Sequence, residues 1–226
     1  MKKWFRLLGS SIGKKYLLAI TGCMLFGFVV VHLLGNLQIF LGPEALNTYA
    51  HFLQSKPLMV WAFRLFLLVV AGLHVFLAIQ VWAENKRARP VGYACPDPVE
   101  ASYASRTMIV TGLVVACFIV YHLLHFTVKA FHPEYAGMKD PVTGYLDVYR
   151  MMIQGFSNVW ISCFYILGTS LLSFHLSHGI SSMFQSFGLR NQMFRWFLDR
   201  LAIVVAVFYG LGSLSIPVAV LSGLIK

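Results

Sequence analysis

Histidine is the residue type whose placement in this 226-residue chain could do chemistry. Eight histidines are present, and six of them lie inside long apolar runs: His32, His74, His122, His125, His175 and His178. An imidazole in an apolar segment is costly unless it meets a hydrogen-bond partner, water or a cofactor. A hydrogen bond between helices explains a single one most simply, whereas several at matched depths predict the ligands of a metal cofactor.

Five apolar segments hold these histidines, and each is long enough to cross about 30 Å of hydrocarbon. We place the segments at residues 16–40, 57–83, 108–128, 159–184 and 196–221. Only 12% of the residues are charged and 58% are hydrophobic, which is too few charges to cover a water-facing surface. Because backbone amides in lipid need the internal bonds of a helix, the sequence predicts an all-α integral membrane protein with five transmembrane helices. It forms one domain over residues 1–226 and shows no internal repeat.

The distribution of Lys and Arg predicts the orientation. Twelve of the 18 basic residues lie in the N-terminal segment and in the connections after the second and fourth spans, and six lie on the other side. The positive-inside rule therefore places the N-terminus in the cytoplasm and the C-terminus outside. The apolar run before Cys23 is too short for a cleaved signal peptide, so we expect residues 4–8 to lie in the inner interface. Because the charge is grouped between spans, a nucleic-acid partner is not expected.

Counting along the predicted helices sorts four histidines into two layers. His32 and His122 both lie about 24 Å along outward-running helices, and His74 and His175 lie at a similar distance along inward-running ones. The outer pair is then His32 with His122 and the inner pair His74 with His175. The two layers are separated by roughly 15–20 Å along the membrane normal.

Two imidazoles that face each other at one level can bind a haem iron from both sides in the core of a helical bundle. Such an iron has no open position and can only pass electrons. No C-x-x-C-H occurs, so a haem would be held by ligation and packing alone. Nearby glycines either let a porphyrin approach the helix backbone or serve close helix packing: Gly22, Gly27, Gly35, Gly72 and Gly168.

His125 and His178 each follow a layer histidine by three residues and share its helix face. Periodicity alone allows either member to be the ligand, and matched depth favours the first. The second is then a candidate for a haem propionate contact, or an interface histidine. Arg64, seven residues into the second span, is expected to be buried near the outer layer and to pair with a propionate or with Glu44.

The order of these motifs resembles the dihaem cytochrome b subunit of succinate dehydrogenase and quinol:fumarate reductase. Each stretch alone is weak, but their order, span and spacing together are specific and cover nearly the whole chain. The matching stretches are His32-Leu33-Leu34-Gly35-Asn36, Ala50-His51-Phe52, Gly72-Leu73-His74, Tyr121-His122, Asp147-Val148-Tyr149, Gly155-Phe156 and Phe174-His175-Leu176-Ser177-His178-Gly179.

The resemblance implies a membrane anchor and electron conduit with two b haems. His32 and His122 would ligate the distal haem iron, and His74 and His175 the proximal one. A flavoprotein with FAD and an iron–sulfur protein would dock on the cytoplasmic face of the cell's inner membrane, and such complexes can pair as dimers. The quinone would be menaquinone, near the outer haem.

The chain would not itself interconvert succinate and fumarate, since no G-x-G-x-x-G motif or dicarboxylate site is present. Ser173 stands where some members carry a glutamate linked to transmembrane proton movement, so we expect no such pathway.

Quinone reduction takes two electrons and two protons and needs a proton donor near a haem edge. Polar residues after the first span, beside the outer layer, are candidates for that site, with an ordinary polar loop as the alternative: Asn36, Gln38, Glu44, Tyr49 and His51.

Two other functions remain open. The chain could be the cytochrome b of another respiratory complex, such as a hydrogenase or formate dehydrogenase, which co-purified soluble subunits would reveal. It could also be a haem-free anchor or transporter that uses its histidines as a proton relay. Transporters usually show repeats or helices broken at the midplane, and these histidines avoid the midplane.

Overall fold

The computed structural model describes residues 9–88, 91 and 101–226. Within these residues the chain is mainly helical, with turns between the helices, a π-helical turn at Leu123–Thr127 that continues the helix ending at His122, and one isolated bridge between Lys139 and Leu146. The helices are α1 (Ser11–Asn36), α2 (Pro43–Gln54), α3 (Pro57–Ala88), α4 (Tyr103–His122), α5 (Val148–Ser157), α6 (Val159–Ser186) and α7 (Arg195–Leu221). The interfacial segment 4–8, Arg89 and Cys95 lie outside the described residues.

Five of these helices are long and apolar enough to cross a membrane, which confirms that part of the prediction: α1, α3, α4, α6 and α7. Their ends differ from the apolar runs because caps, not hydropathy, set them. The Ser10 hydroxyl accepts the Gly13 N–H at 3.1 Å and starts α1 five residues before the apolar run. Ser102 caps α4 in the same way through the Ser105 N–H, also at 3.1 Å.

Four of the long helices form a bundle around a common axis. Around the bundle α3 packs on α1, α1 on α6, α6 on α4, and α4 more lightly on α3. The diagonal pairs are therefore α1 with α4 and α3 with α6. The fifth long helix, α7, packs outside the bundle, chiefly on α6. In their most apolar stretches α1 and α3 each bury only 11% of their residues within the protein, against 33% for α7, so most of the surface of α1 and α3 faces away from the other helices.

The two short helices α2 and α5 pack together over one end of the bundle, which we call the outer end, following the orientation that the charges predict. Asn47, fully buried, holds them: its amide N–H groups donate to Asp140 at 2.9 Å and to Asp147 at 3.1 Å. Its carbonyl oxygen accepts the Tyr149 N–H at 3.0 Å. The polar connection is thus a helix tied to the bundle and not an open loop. Hydrogen bonds from the Thr143 N–H and from Asn47 hold the pKa of Asp140 below its usual range.

Ion pairs join the helices at the opposite, inner end. Lys14 on α1 pairs with Glu84 on α3. Arg190, in the connection after α6, donates two hydrogen bonds of 2.8 Å to Asp199 on α7. These bridges fix the inner ends of the α1–α3 and α6–α7 pairs.

Gly168 on α6 lets α4 approach closely, because a Cβ built there would overlap the buried ring of Phe118. Gly168→Ala is therefore expected to destabilise the protein by about 1–3 kcal/mol, since neither backbone nor ring can yield fully. Gly179→Ala, on the same helix with open space at its Cβ, is the matched control and should leave stability unchanged or slightly higher. Thermal unfolding in detergent measures both, and equal effects would contradict this account of the α4–α6 contact.

Candidate functional site

The two halves of the four-helix bundle repeat one set of residues, which corrects the expectation of no internal repeat. Thr21-Gly22, Phe28, Val30 and His32-Leu33-Leu34 on α1 recur 90 residues later on α4 and its continuation as Thr111-Gly112, Phe118, Val120 and His122-Leu123-Leu124. Phe63 and His74 on α3 recur on α6 as Phe164 and His175, 101 residues later. The two different offsets and the sparse identities hide the repeat from a simple scan of the sequence.

The outer histidines face each other across a diagonal of the bundle. The ring centroids of His32 on α1 and His122 on α4 lie 5.7 Å apart, with ring planes at 82°. Phe28 stacks on the His32 ring at 5.3 Å, and Phe63 of α3 lies 5.9 Å from Phe28. The equivalent contact in the other half, between Phe118 and Phe164, is also 5.9 Å.

The inner histidines lie on the other diagonal, and each is held by the neighbouring helix. The Nδ1 atom of His74 on α3 lies 3.0 Å from the Thr21 hydroxyl oxygen of α1, and that of His175 on α6 lies 3.3 Å from the Thr111 hydroxyl oxygen of α4. The two histidines are within electrostatic range of each other. Because Nδ1 is engaged in both rings, Nε2 is the nitrogen left for another ligand.

Glycines make room for these inner rings. A Cβ at Gly22 would lie 3.3 Å from Cε1 of His74, and a Cβ at Gly112 would lie 3.2 Å from Cε1 of His175. Each imidazole therefore rests against a bare stretch of helix backbone. We call each of these Thr-Gly pairs a seat: Thr21-Gly22 on α1 is the seat of His74, and Thr111-Gly112 on α4 is the seat of His175.

The repeat also fixes the distance between layers. Each seat threonine precedes the outer histidine of its own helix by 11 residues, which is a rise of about 16 Å. Eleven residues complete almost a whole number of helical turns, so both groups face the bundle interior. This spacing agrees with the separation of 15–20 Å that residue counting predicts.

The donor set fits a group that needs two axial nitrogens. A metal–imidazole bond of about 2 Å on each side of an iron separates the two ring centres by about 6 Å, close to the 5.7 Å of the outer pair. His32 keeps exposed surface although it faces His122, and Gly27 and Gly72 have open space where a Cβ would stand. Among the described residues no group of three or more His, Cys, Asp or Glu is placed to hold a metal ion.

The other glycine candidates are filled by side chains. The Tyr49 ring occupies the space beside Gly35, and the Phe118 ring that beside Gly168. These two glycines serve packing between elements and not the approach of a planar ring.

His125 is turned away from the outer pair. It is fully buried, stacks on Phe126 at 4.0 Å, and its Nδ1 lies 3.0 Å from the Tyr165 hydroxyl. Its Nε2 has no hydrogen-bond partner, and the ring lies 5.5 Å from His132 near the outer end. The Tyr165 hydroxyl also lies 3.4 Å from Nδ1 of His122. His125 thus touches the outer layer through a shared tyrosine.

His178 lies one turn inward of His175. It is half-buried and within electrostatic range of Arg190 and Asp199. This places it beside the inner ion pair, where a carboxylate-bearing group could also reach it.

Arg64 is exposed on α3, which corrects the expectation of a buried cation. Its guanidinium group lies over the Trp61 ring at 5.1 Å, and no ion pair with Glu44 occurs in the described part of the chain. Because α3 has few neighbours at this level, the long side chain reaches out along the helix. Arg64 still lies near Lys129, whose pKa is lowered first by desolvation and then by that arginine. Two cations therefore lie close together near the outer layer.

Two open cavities at the outer end separate the quinone candidates. Gln38, Glu44 and Tyr49, with Leu41 and Phe52, line a cavity of about 660 Å³. His51 lines a second cavity, of about 400 Å³, with Gln54 and Lys129, and its ring stacks on Tyr145 at 3.6 Å. Asn36 ends α1 and lines neither cavity.

The first cavity adjoins the outer histidine layer. The Tyr49 ring packs against Gly35, three residues after His32. A carboxylate, a phenol and an amide together on apolar walls can hold a planar ring with two carbonyl groups and exchange protons with it.

Sequence reasoning missed Thr21, Thr111, Tyr165 and Asn47. The two Thr-Gly pairs were detectable, because each stands 11 residues before an outer histidine. Tyr165 and Asn47 left no such signal, because their roles depend on helix rotation and on long-range pairing. Comparison of the chain with family models, with curated proteins and with solved structures finds no match.

Proposed function

We propose that this chain is the membrane-anchor and electron-transfer subunit of a succinate dehydrogenase or fumarate reductase complex, binding two b haems. The observation that carries the proposal is the placement of four histidines as two pairs on the two diagonals of one bundle. The outer rings are 5.7 Å apart, and the inner rings sit on matching Thr-Gly seats about 16 Å away. A single structural histidine would need no such arrangement.

His32 and His122 would hold the distal haem iron, and His74 and His175 the proximal one. When bound, each haem supplies reversible one-electron chemistry with no open iron position for substrate. The two macrocycles would lie between the helices α1, α3, α4 and α6, which carry the four histidines. His125 and His178 are the candidates for propionate contacts, whereas Arg64 is exposed and lies over the Trp61 ring.

The quinone, menaquinone by the resemblance, would react in the cavity lined by Gln38, Glu44 and Tyr49. Glu44 and Tyr49 would hold the quinone oxygens and exchange protons with them. The chain would lie in the inner membrane of the cell with its N-terminus in the cytoplasm. The basic inner end would then bind the iron–sulfur subunit, and the FAD flavoprotein would bind to that subunit.

The test is the haem content of the complex purified in mild detergent. We expect two non-covalent b haems per chain in a reduced-minus-oxidised spectrum, with a flavoprotein and an iron–sulfur protein as co-purifying subunits. An active complex without haem would contradict the proposal and leave a haem-free anchor or transporter. Two haems with hydrogenase or formate dehydrogenase subunits would assign the chain to another respiratory complex.

A further inference from the structure

The seats of the inner histidines share a hydrogen-bond geometry that the proposed function does not by itself require. The Thr21 hydroxyl lies 2.9 Å and 3.1 Å from the carbonyl oxygens of Leu17 and Leu18 on its own helix. The Thr111 hydroxyl lies 3.1 Å from each of the carbonyl oxygens of Thr107 and Met108. Both threonines are buried, with 4% and 6% of their surface exposed.

This geometry accommodates the imidazole tautomer that carries its proton on Nδ1. A hydroxyl has one hydrogen to donate, and at each seat only carbonyl oxygens and the imidazole compete for it. When the threonine donates its hydrogen backwards to a helix carbonyl oxygen, its own oxygen accepts from Nδ1–H of the histidine. His74 and His175 are then held as the tautomer with a free lone pair on Nε2.

We propose that Thr21 and Thr111 are positioning residues for the two inner histidines. Each hydroxyl orients an imidazole from the helix next to it, selects the Nε2-ligating tautomer and strengthens that nitrogen as an electron donor. The inference rests on the proposed haem function and deepens it. A histidine that donates its other N–H to an oxygen is a more basic ligand, which favours the oxidised state of the iron that it holds.

The outer pair is held differently, so the effect should be confined to one layer. The Tyr165 hydroxyl lies 3.4 Å from Nδ1 of His122 and is shared with Nδ1 of His125 at 3.0 Å. The residue that matches Tyr165 in the first half of the repeat is Arg64, which points over Trp61. At the inner seats, the hydroxyl beside each histidine also lies within hydrogen-bond distance of a carbonyl oxygen of its own helix. Within the described residues, neither outer histidine has such a hydroxyl beside it.

Thr21→Val and Thr111→Val test the inference, because valine keeps the shape of threonine and removes the hydroxyl. Thr169→Val is the matched control: Thr169 makes the same backward bonds, to the carbonyl oxygens of Tyr165 at 2.8 Å and Ile166 at 3.4 Å, without a histidine. Thr21→Ser keeps the hydroxyl and should behave as the native chain. The readouts are haem retention and the midpoint potentials of both haems in the purified complex.

We expect each valine variant to weaken retention of the inner haem about tenfold. The equilibrium constant for its reduction should rise by a similar factor, a shift of about 59 mV for a one-electron couple. The outer haem and the Thr169→Val variant should be unchanged. The inner haem is identified as the one that His74→Ala lacks.

Two results would overturn the inference: valine variants with native potentials and retention, or a shift as large in Thr21→Ser as in Thr21→Val, which would assign the effect to packing. If one valine variant fails to assemble, the other decides, because the two seats are independent copies. A native complex without any haem would instead reject the proposed function.

Discussion

Alanine at His74 or at His175 is expected to remove the same haem, the inner one, and alanine at His32 or His122 the other. Under the proposed function, a haem iron would be held from both sides and would lose one of its two protein bonds in each variant, and no covalent link would retain the haem. Each single variant should therefore contain one haem per chain in place of two. Haem quantitation, with a redox titration that identifies the remaining haem, measures this result.

A matched control comes from His178, on the same helix as His175 and three residues further on. It is half-buried, so the loss of its imidazole should cost little assembly, and His178→Ala should keep both haems. Loss of the same haem from the His32 and His74 variants would contradict the diagonal pairing. If His178→Ala lost the inner haem and His175→Ala kept it, the ligand on this helix would be His178, one turn further along, and not His175.

The helices and the two histidine layers could be predicted because both follow from local rules. Apolar length alone marks a span, and depth along a helix is residue count multiplied by a fixed rise. The counting needed no knowledge of which helices touch. Residue counting predicts the same depth for His32 and His122, and in the structure the centroids of those two rings lie 5.7 Å apart.

Rotation about the helix axes could not be predicted, and it decides the remaining details. Whether Arg64 points inward or along the bilayer depends on how few neighbours α3 has there, and the sequence does not carry that information. His125 and His122 share a face by periodicity, yet the turn between Leu123 and Thr127 is a π-helix. This wider turn takes His125 out of the register that an α-helix would give and buries it beside Tyr165.

The repeat was hidden for a related reason. Thr21-Gly22 and Thr111-Gly112 are ordinary residues in membrane helices, where small residues serve close packing. Their spacing of 11 residues to an outer histidine is visible in the sequence, but their role follows only from the structure, in which His74 and His175 from neighbouring helices lie against them. The contacts at the outer end could not be predicted either, because Asn47 bonds to Asp140 and Asp147, which lie about a hundred residues away in the sequence.

The quinone candidates on α2 line two different cavities, and this division leads to the second prediction. Glu44 and Tyr49 line the cavity that adjoins Gly35, whereas His51 and Gln54 line the other. Glu44→Gln is expected to lower turnover with a menaquinol analogue about a hundredfold, the lower range for loss of a general acid or base. Haem content should stay native, since no histidine ligand touches the carboxylate.

His51→Ala is the control for the second cavity and should keep turnover within a few-fold of the native complex. Stopped-flow reduction of the haems by quinol separates the quinone reaction from the chemistry of the soluble subunits, because it needs neither succinate nor fumarate. Slow haem reduction in Glu44→Gln with a normal rate in His51→Ala would support the cavity beside Tyr49. The reverse pattern would place the quinone between His51 and Lys129, where a histidine stacked on Tyr145 and a nearby lysine would have to exchange its protons.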